Sequence, residues 1–346
     1  MAIAGGGIIG LTTACELAAA GCKVTVYDQS EAMSEASRAA AGMLGAADPE
    51  NPEELRALAS LSLARYPEFL DRVAASSKKT IPVRTTRTVQ GVHQVPLGAR
   101  ALTEDEIQAW APRASTAGYQ FLLLEEKSFD AWDLAEALPA AARAAGVEVR
   151  EHTSVLSVRT GNLGVELLTA AGTCTAGVFL NAAGAWAPTL ERALPVTPRK
   201  GHMLTTELPG EVQMECVLRT PNVYIVPRGG CRYTVGSTVE DAGFDRNVDP
   251  LRIQELFARA AALWPPLRGA GIAETWIGFR PGSGDGLPII DQTGEKSWIA
   301  TGHFKNGILL GPGTGRVLSE WILGRHPEVD LSSFRAGRFA ASSASP

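Results

Sequence analysis

Long apolar runs are missing from this chain. Stretches such as FLLL at 121–124 and ILL at 308–310 fall far short of the ~20 residues that span a bilayer. The first residues lack the charged, then apolar, then small-residue layout of a secretion signal. Both absences point to a cytoplasmic protein with no membrane partner. An excess of positive charge is missing too. Lys and Arg total 32 against 37 Asp and Glu, a net charge of -5, which leaves no polybasic handle for nucleic acid. Cysteine is sparse. Cys15, Cys22, Cys174, Cys216 and Cys231 show no CxxC spacing and no histidine cluster. They read as free thiols, not as disulfides or a metal site. Repeats and low-complexity linkers are also absent. What remains is 346 residues, 45% hydrophobic and 20% charged, enough for one large domain or two intertwined ones.

What is present begins with glycine. Residues 2–4 (AIA) read as a short strand, and Gly5, Gly7 and Gly10 follow as GxGxxG. LTTACELAAAG then reads as a helix stopped by Gly21, and KVTVY at 23–27 as a second strand ending at Asp28. Gly5 permits a tight turn, Gly7 a close approach of a pyrophosphate, and Gly10 close packing of helix on strand. The helix N-terminus favours phosphate through its free amides and dipole. Asp28, 18 residues beyond Gly10, stands where a ribose-binding carboxylate belongs. A Gly-rich turn with an unrelated acid would not explain the agreement of all four features.

The next segment does not continue as alternating strands and helices. DQSEAMSEASRAAAGML is a long small-residue loop, followed by a helix over about 52–73. Ser37, Ala40, Ala41 and Gly42 suit a backbone lying flat on a planar group. A flexible loop is the alternative.

Residues 80–94 and 119–126 carry strand character. Residues 130–146 read as a helix with Asp130 near its start and Gly146 past its end, and Pro139 inside predicts a kink or a delayed start. Residues 147–158 read as strand, and VFLNAAGAW at 178–186 as a buried strand ending in a turn. Residues 199–208, 222–228 and 231–240 read as strands of a second, mainly antiparallel layer, and 252–265 as an amphipathic helix. Arg280 ends an apolar strand, AETWIGF, before a Pro-Gly turn. A guanidinium there could grip a carboxylate with two parallel hydrogen bonds or make a structural ion pair. Tyr224 reads as a half-buried strand tyrosine. GHFKNGILLGPGTG at 302–315 is a second glycine-rich helix start, at the other end of the chain.

Together GGGIIG (5–10), Asp28, SRAAAGML (37–44), NAAGAW (181–186), GFRPGSGDGLPIID (278–291) and GHFKNGILL (302–310) resemble the D-amino-acid oxidase family of flavoproteins. The resemblance runs over nearly the whole chain and is nearest to glycine oxidases of the thiamine-synthesis type. It implies an α/β fold: an FAD-binding Rossmann-like domain of the glutathione-reductase type, with an interleaved antiparallel substrate domain. The expected division is 1–80, 128–200 and 270–346 for the first, and 81–127 and 201–269 for the second.

The family pattern implies FAD contacts at Gly5, Gly7, Ile8, Ile9 and Gly10, then at Asp28 and Gln29. Ala36, Ser37, Ala41, Gly42 and Met43 follow in the small-residue loop. Val155, Ala183, Gly184 and Trp186 come from the middle of the chain. His303, Phe304, Lys305, Asn306, Gly307, Ile308 and Leu309 would line the flavin ring, with the last helix aimed at its pyrimidine edge. Arg280 would anchor the substrate carboxylate, Tyr224 would face the substrate, and Lys305 would contact it. Lys305 stands where many glycine oxidases carry arginine; it keeps the charge and loses the planar fork, which makes a larger D-amino acid more credible. No cysteine lies between 232 and 346, so non-covalent FAD is expected, unlike in sarcosine oxidases. The implied reaction is hydride transfer from Cα of glycine or a D-amino acid to flavin N5. The imino acid leaves, and oxygen is reduced to hydrogen peroxide. A dehydrogenase with another acceptor, an oxidase of an N-methyl amino acid such as sarcosine, and a flavin-binding scaffold are the alternatives. The relatives' habit of forming oligomers implies a homo-oligomer.

Overall fold

The computed structural model describes residues 1–343 apart from 163, 209, 211 and 212. Its first sheet has six strands, in the order Ile289–Gly294, Ser297–Thr301, Phe179–Asn181, Ala2–Ala4, Thr25–Tyr27 and Glu148–Arg150. The last five are parallel, and Ile289–Gly294 closes the edge antiparallel. The helices Ile8–Ala19, Arg56–Ser77, Ala131–Ala144 and Gly307–Ile322 share one apolar core with this sheet. This is the Rossmann-like arrangement expected from the sequence. Its central strands Ala2–Ala4 and Phe179–Asn181 are fully buried, as in a parallel sheet covered on both faces.

The second sheet has seven strands: Gly271–Ser283, Val196–Glu207, Arg232–Gly236, Val223–Gly229, Val217–Thr220, Thr88–Val92 and Gln120–Leu124. All neighbours are antiparallel except Val217–Thr220 on Thr88–Val92. Helix Pro250–Leu263 covers one face through Ile253, Leu256 and Ala260. Strand Gly271–Ser283, which the expected division gives to the first domain, pairs along Val196–Glu207 in this sheet.

Two expectations differ from the structure, and one element was not expected. Helix Ala131–Ala144 starts at its Asp130 cap, whose Oδ1 accepts from Trp132 N at 2.9 Å, and runs through Pro139 without a late start. Proline removes one donor, and the surrounding buried alanines keep the helix going. The run 147–158 is two strands in different sheets, broken where His152 adopts φ +52°. The second of them opens an antiparallel meander, Val155–Gly161, Gly164–Thr169 and Gly172–Ala176, which the sequence reading did not anticipate.

Candidate active site

Both glycine-rich helix starts open into one cavity of about 470 Å³. At the first, an added Cβ on Gly5 would stand 2.2 Å from Ala182 O, and one on Gly10 would stand 1.9 Å from Gly5 O. These two glycines let the turn, the neighbouring strand and the helix close on one another. Gly7 and Ile8 reach the cavity wall, where Ser37 Oγ accepts from Ile8 N at 3.0 Å. The helix has no acidic residue in its first turn, and its N-cap, Gly7, has no side chain to satisfy the free amides. Asp28 also lines the cavity. Its Oδ2 accepts from Gly6 N at 2.7 Å and its Oδ1 from Ser30 N at 2.8 Å. Burial raises its pKa, against the two backbone hydrogen bonds.

The last helix begins in the same space. A turn at Phe304–Asn306 leads into Gly307–Ile322, again without a side-chain cap. This helix carries Pro312, which cannot donate to the carbonyl of Ile308. Tyr66 Oη donates to that carbonyl instead. Ser62 Oγ donates to Leu309 O at 2.6 Å and accepts from Gly313 N at 2.9 Å. Helix Arg56–Ser77 thus repairs the hydrogen-bond ladder that the GPG sequence opens. Gly311 and Gly315 let the last helix press on the first: added Cβ atoms would meet Ile8 at 2.8 Å and Thr12 at 2.9 Å. The two helix starts are held side by side, so two positive dipole ends face one cavity.

His303 lines it as well. Burial drives its pKa down to about 3, and its Nε2 lies 3.2 Å from Thr314 Oγ1. Burial favours the neutral imidazole.

The second sheet forms the facing wall. Gln90, Arg219, Tyr224, Gly236, Met203 and Trp276 stand opposite one another across successive strands and so share one face. Glycines make room for the reactive side chains. An added Cβ on Gly236 would stand 2.3 Å from the Tyr224 ring, and one on Gly201 would stand 2.2 Å from Arg280 Nη1. Tyr224 Oη donates to Met203 Sδ at 3.1 Å. Arg280 donates to Ser237 Oγ at 2.6 Å and to Thr238 O at 3.2 Å. Among the described residues it has no carboxylate partner.

All the site residues expected from the sequence line this cavity except Gly10 and Leu309. Gly10 lies behind the wall, as helix-on-strand packing requires. Leu309, expected at the flavin ring, is 2% exposed within the apolar core, and its carbonyl accepts from Ser62 Oγ. Lys305 is at the cavity, with Nζ 3.7 Å from Asp48 and 3.6 Å from Glu50. Sequence reasoning missed those two acids, and also Arg219. Arg219 lies 3.0 Å from Glu126 and 3.7 Å from Asp48, and its Nε donates to Gln90. Burial raises the pKa of Glu126, and the Arg219 charge opposes that. The available signal was a lone arginine in a short apolar strand, VLRT.

A family model described as FAD dependent oxidoreductase matches residues 1–321. The chain belongs to that family. Glycine oxidase of Geobacillus kaustophilus is 31% identical over 98% of this chain and 96% of its own length. The crystal structure of glycine oxidase from that organism superposes with a TM-score of 0.92, covering 97% of this chain and 98% of the other. The bifunctional protein ThiO/ThiG of Trichormus variabilis is 35% identical over 97% of this chain, which spans 54% of that relative's length.

The residues present fit FAD, the family's cofactor. Two uncapped helix starts offer amides to a pyrophosphate and to a charged ring edge. Gly7, Ala41 and Gly42 keep the wall low, and Asp28 stands at the end of the second strand. All five cysteines are free. Among the described residues no helix is long and apolar enough to cross a membrane.

Proposed function

We propose that this chain is an amino-acid oxidase that deaminates glycine or a D-amino acid. The observation that carries the reading is Arg280: a guanidinium fixed by Ser237 and Thr238, free of any described carboxylate, in the cavity that both helix starts enter. Arg280 would take the substrate carboxylate through charge-assisted hydrogen bonds. Tyr224, lying on Gly236, would give the substrate its second polar contact. Gly5, Gly7 and Ile8 would hold the pyrophosphate, Asp28 a ribose, and Gly307 with Ile308 the ring edge. FAD, when bound, supplies the acceptor for a hydride from Cα and passes the electrons to oxygen, giving hydrogen peroxide. The amine leaves as an imine, which water hydrolyses to an oxo acid and ammonia. The protein's contribution is placement of the substrate and an electropositive helix end. Neutral His303 adds no charge there.

The identity with glycine oxidases supports the substrate class, and the ThiO/ThiG relative supports the thiamine-synthesis role implied by the sequence resemblance. Lys305 is tied to Asp48 and Glu50, so its contact with substrate would be made as part of a charged group of three. The absence of cysteine beyond 231 supports non-covalent FAD, and acid precipitation should leave the flavin in the supernatant.

The decisive test is anaerobic mixing of the yellow protein with glycine, sarcosine and a panel of D-amino acids, following flavin absorbance. Bleaching by glycine or a D-amino acid, reversed by air with peroxide formation, is the expected result. Bound flavin that none of them bleaches would overturn the reading. Arg280→Ala should lower kcat/KM by about 10³-fold, the cost of truncating one partner of a desolvated charge pair, while the flavin stays bound.

A further inference from the structure

Between strand Arg232–Gly236 and helix Pro250–Leu263 the chain leaves the second sheet and crosses to the first unit. The two ends of the crossing segment, Glu240 and Asp249, are held by one side chain. His202 is fully buried; its Nδ1 faces Glu240 Oε1 at 2.9 Å, and its Nε2 accepts from Asp249 N at 2.9 Å. Acceptance at Nε2 assigns the proton to Nδ1. Backbone hydrogen bonds between Lys200 and Glu240, 3.0 and 2.8 Å, fix the same end, and Lys200 Nζ reaches Asp245 Oδ2 at 2.7 Å and Asn247 O at 2.6 Å.

The tip is attached differently. Phe244 stacks on Trp186, with ring centroids 4.7 Å apart and planes at 21°, and meets the edge of Phe279 at 5.4 Å. Arg246 donates to Glu35 Oε1 at 2.6 Å. Glu35 and Trp186 both line the cofactor cavity. Phe244 is 42% exposed and the Arg246 side chain 60% exposed. Buried His202 therefore pins the base, buried Lys200 holds Asp245 and Asn247 on either side of Arg246, and the exposed contacts of Phe244 and Arg246 reach residues that line the cavity.

We infer that residues 240–249 form a strap that retains FAD: Phe244 and Arg246 fasten it to Trp186 and Glu35, and these contacts open when the cofactor enters or leaves. The inference rests on the FAD-binding reading of the cavity. It makes Phe244, Arg246 and Glu35 retention residues that need not touch the substrate. Opening breaks the exposed Arg246–Glu35 pair, the half-exposed contacts of Phe244 with Trp186 and Phe279, and the guanidinium–ring contacts of Arg246, which are weak, salt-sensitive or partly solvated, while His202 keeps the base in place.

The test is the rate at which the FAD-loaded protein releases flavin after dilution, followed by ultrafiltration and flavin fluorescence, with apoprotein unfolding temperature as a control. Arg246→Ala and Glu35→Gln should each speed release by about two- to fivefold, and Phe244→Ala by about tenfold. The swap Glu35→Arg with Arg246→Glu should bring the rate back toward wild type. Raised salt should speed release from the wild type but not from Arg246→Ala. Wild-type release that is indifferent to salt, or rates for Arg246→Ala equal to wild type, would overturn the strap; the salt arm needs no variant to fold. A wild-type protein that binds no FAD would overturn the cofactor reading along with it. Flavin that binds well and leaves every variant at one rate would overturn the strap alone.

Discussion

The two walls of the cavity use glycine for opposite purposes. On the Rossmann-like wall, Gly5 and Gly10 let backbone approach backbone: their added Cβ atoms would strike Ala182 O and Gly5 O. The surface they make is main chain and helix ends, suited to a cofactor read through its phosphates. On the antiparallel wall, Gly201 and Gly236 let side chains lie down: their Cβ atoms would strike Arg280 and Tyr224. The surface they make is a guanidinium and a phenol on a bare sheet. One residue type thus builds a cofactor cradle by removing distance between strands and helices, and a substrate wall by removing obstacles beneath functional groups.

The sharpest way to break that comparison is to add one methyl group to each wall. Gly10→Ala should be the most damaging, because its Cβ has only backbone to meet at 1.9 Å and neither element can retreat. The expected outcome is protein recovered without flavin, or not recovered, in line with overpacking costs of at least ~1–3 kcal/mol. Gly236→Ala should fold and keep its flavin but lose about 10- to 100-fold in kcat/KM, since the Tyr224 ring must swing away. Absorbance ratios of bound flavin to protein, measured beside steady-state kinetics, separate the two effects. If both substitutions fail in the same way, the division of labour between the walls is wrong.

That division also decides what could be read from the sequence. The cradle is local: GGGIIG, its strand and its helix are contiguous, so Gly5, Gly7, Gly10 and Asp28 announce themselves by spacing. Family resemblance brought the distant pieces, including Arg280 and Tyr224, to the same cavity. Arg219, Asp48 and Glu50 escaped both routes. Each becomes a cavity residue only through pairing of strands far apart in sequence, such as Val217–Thr220 on Thr88–Val92, or through a loop folded back on Lys305. The meander from Val155 was legible in part: GVELLT alternates with Val165, Leu167 and Thr169 buried. Pro139 and Pro312 show the limit of local rules. Each removes a backbone donor inside a helix, yet both helices run on through them.

A second prediction concerns the repair around Pro312. Ser62→Ala removes a hydroxyl that makes two buried hydrogen bonds, to Leu309 O and from Gly313 N. Together these contribute ~1–3 kcal/mol, so the variant should lose several degrees in Tm. Tyr66→Phe, which orphans Ile308 O alone, should lose about half as much. Because Ile308 begins the helix that faces the cavity, the Tyr66 variant should also hold flavin less tightly. Equal stability of both variants and wild type would mean that water or a shifted helix fills the gap.

The effect that vanishes at neutral pH belongs to His303, and its sign follows from burial. In the folded protein its pKa is pushed down to about 3, whereas an unfolded histidine titrates near ~6.5. Above pH ~6.5 both states are neutral and the residue has no influence on stability. As the pH falls below that, the unfolded chain binds a proton that the folded chain refuses, so stability drops continuously until the folded pKa is reached. At pH 5 the loss amounts to ~2 kcal/mol. His303→Gln keeps a hydrogen-bonding side chain toward Thr314 but has nothing to titrate. Urea unfolding of the two FAD-loaded proteins from pH 7.5 to 5 should give curves that diverge on acidification, the variant being the flatter. Parallel curves would mean that the imidazole accepts a proton in place. The last helix would then start beside a charge that changes with pH, and the cofactor wall would be less fixed than its glycines make it.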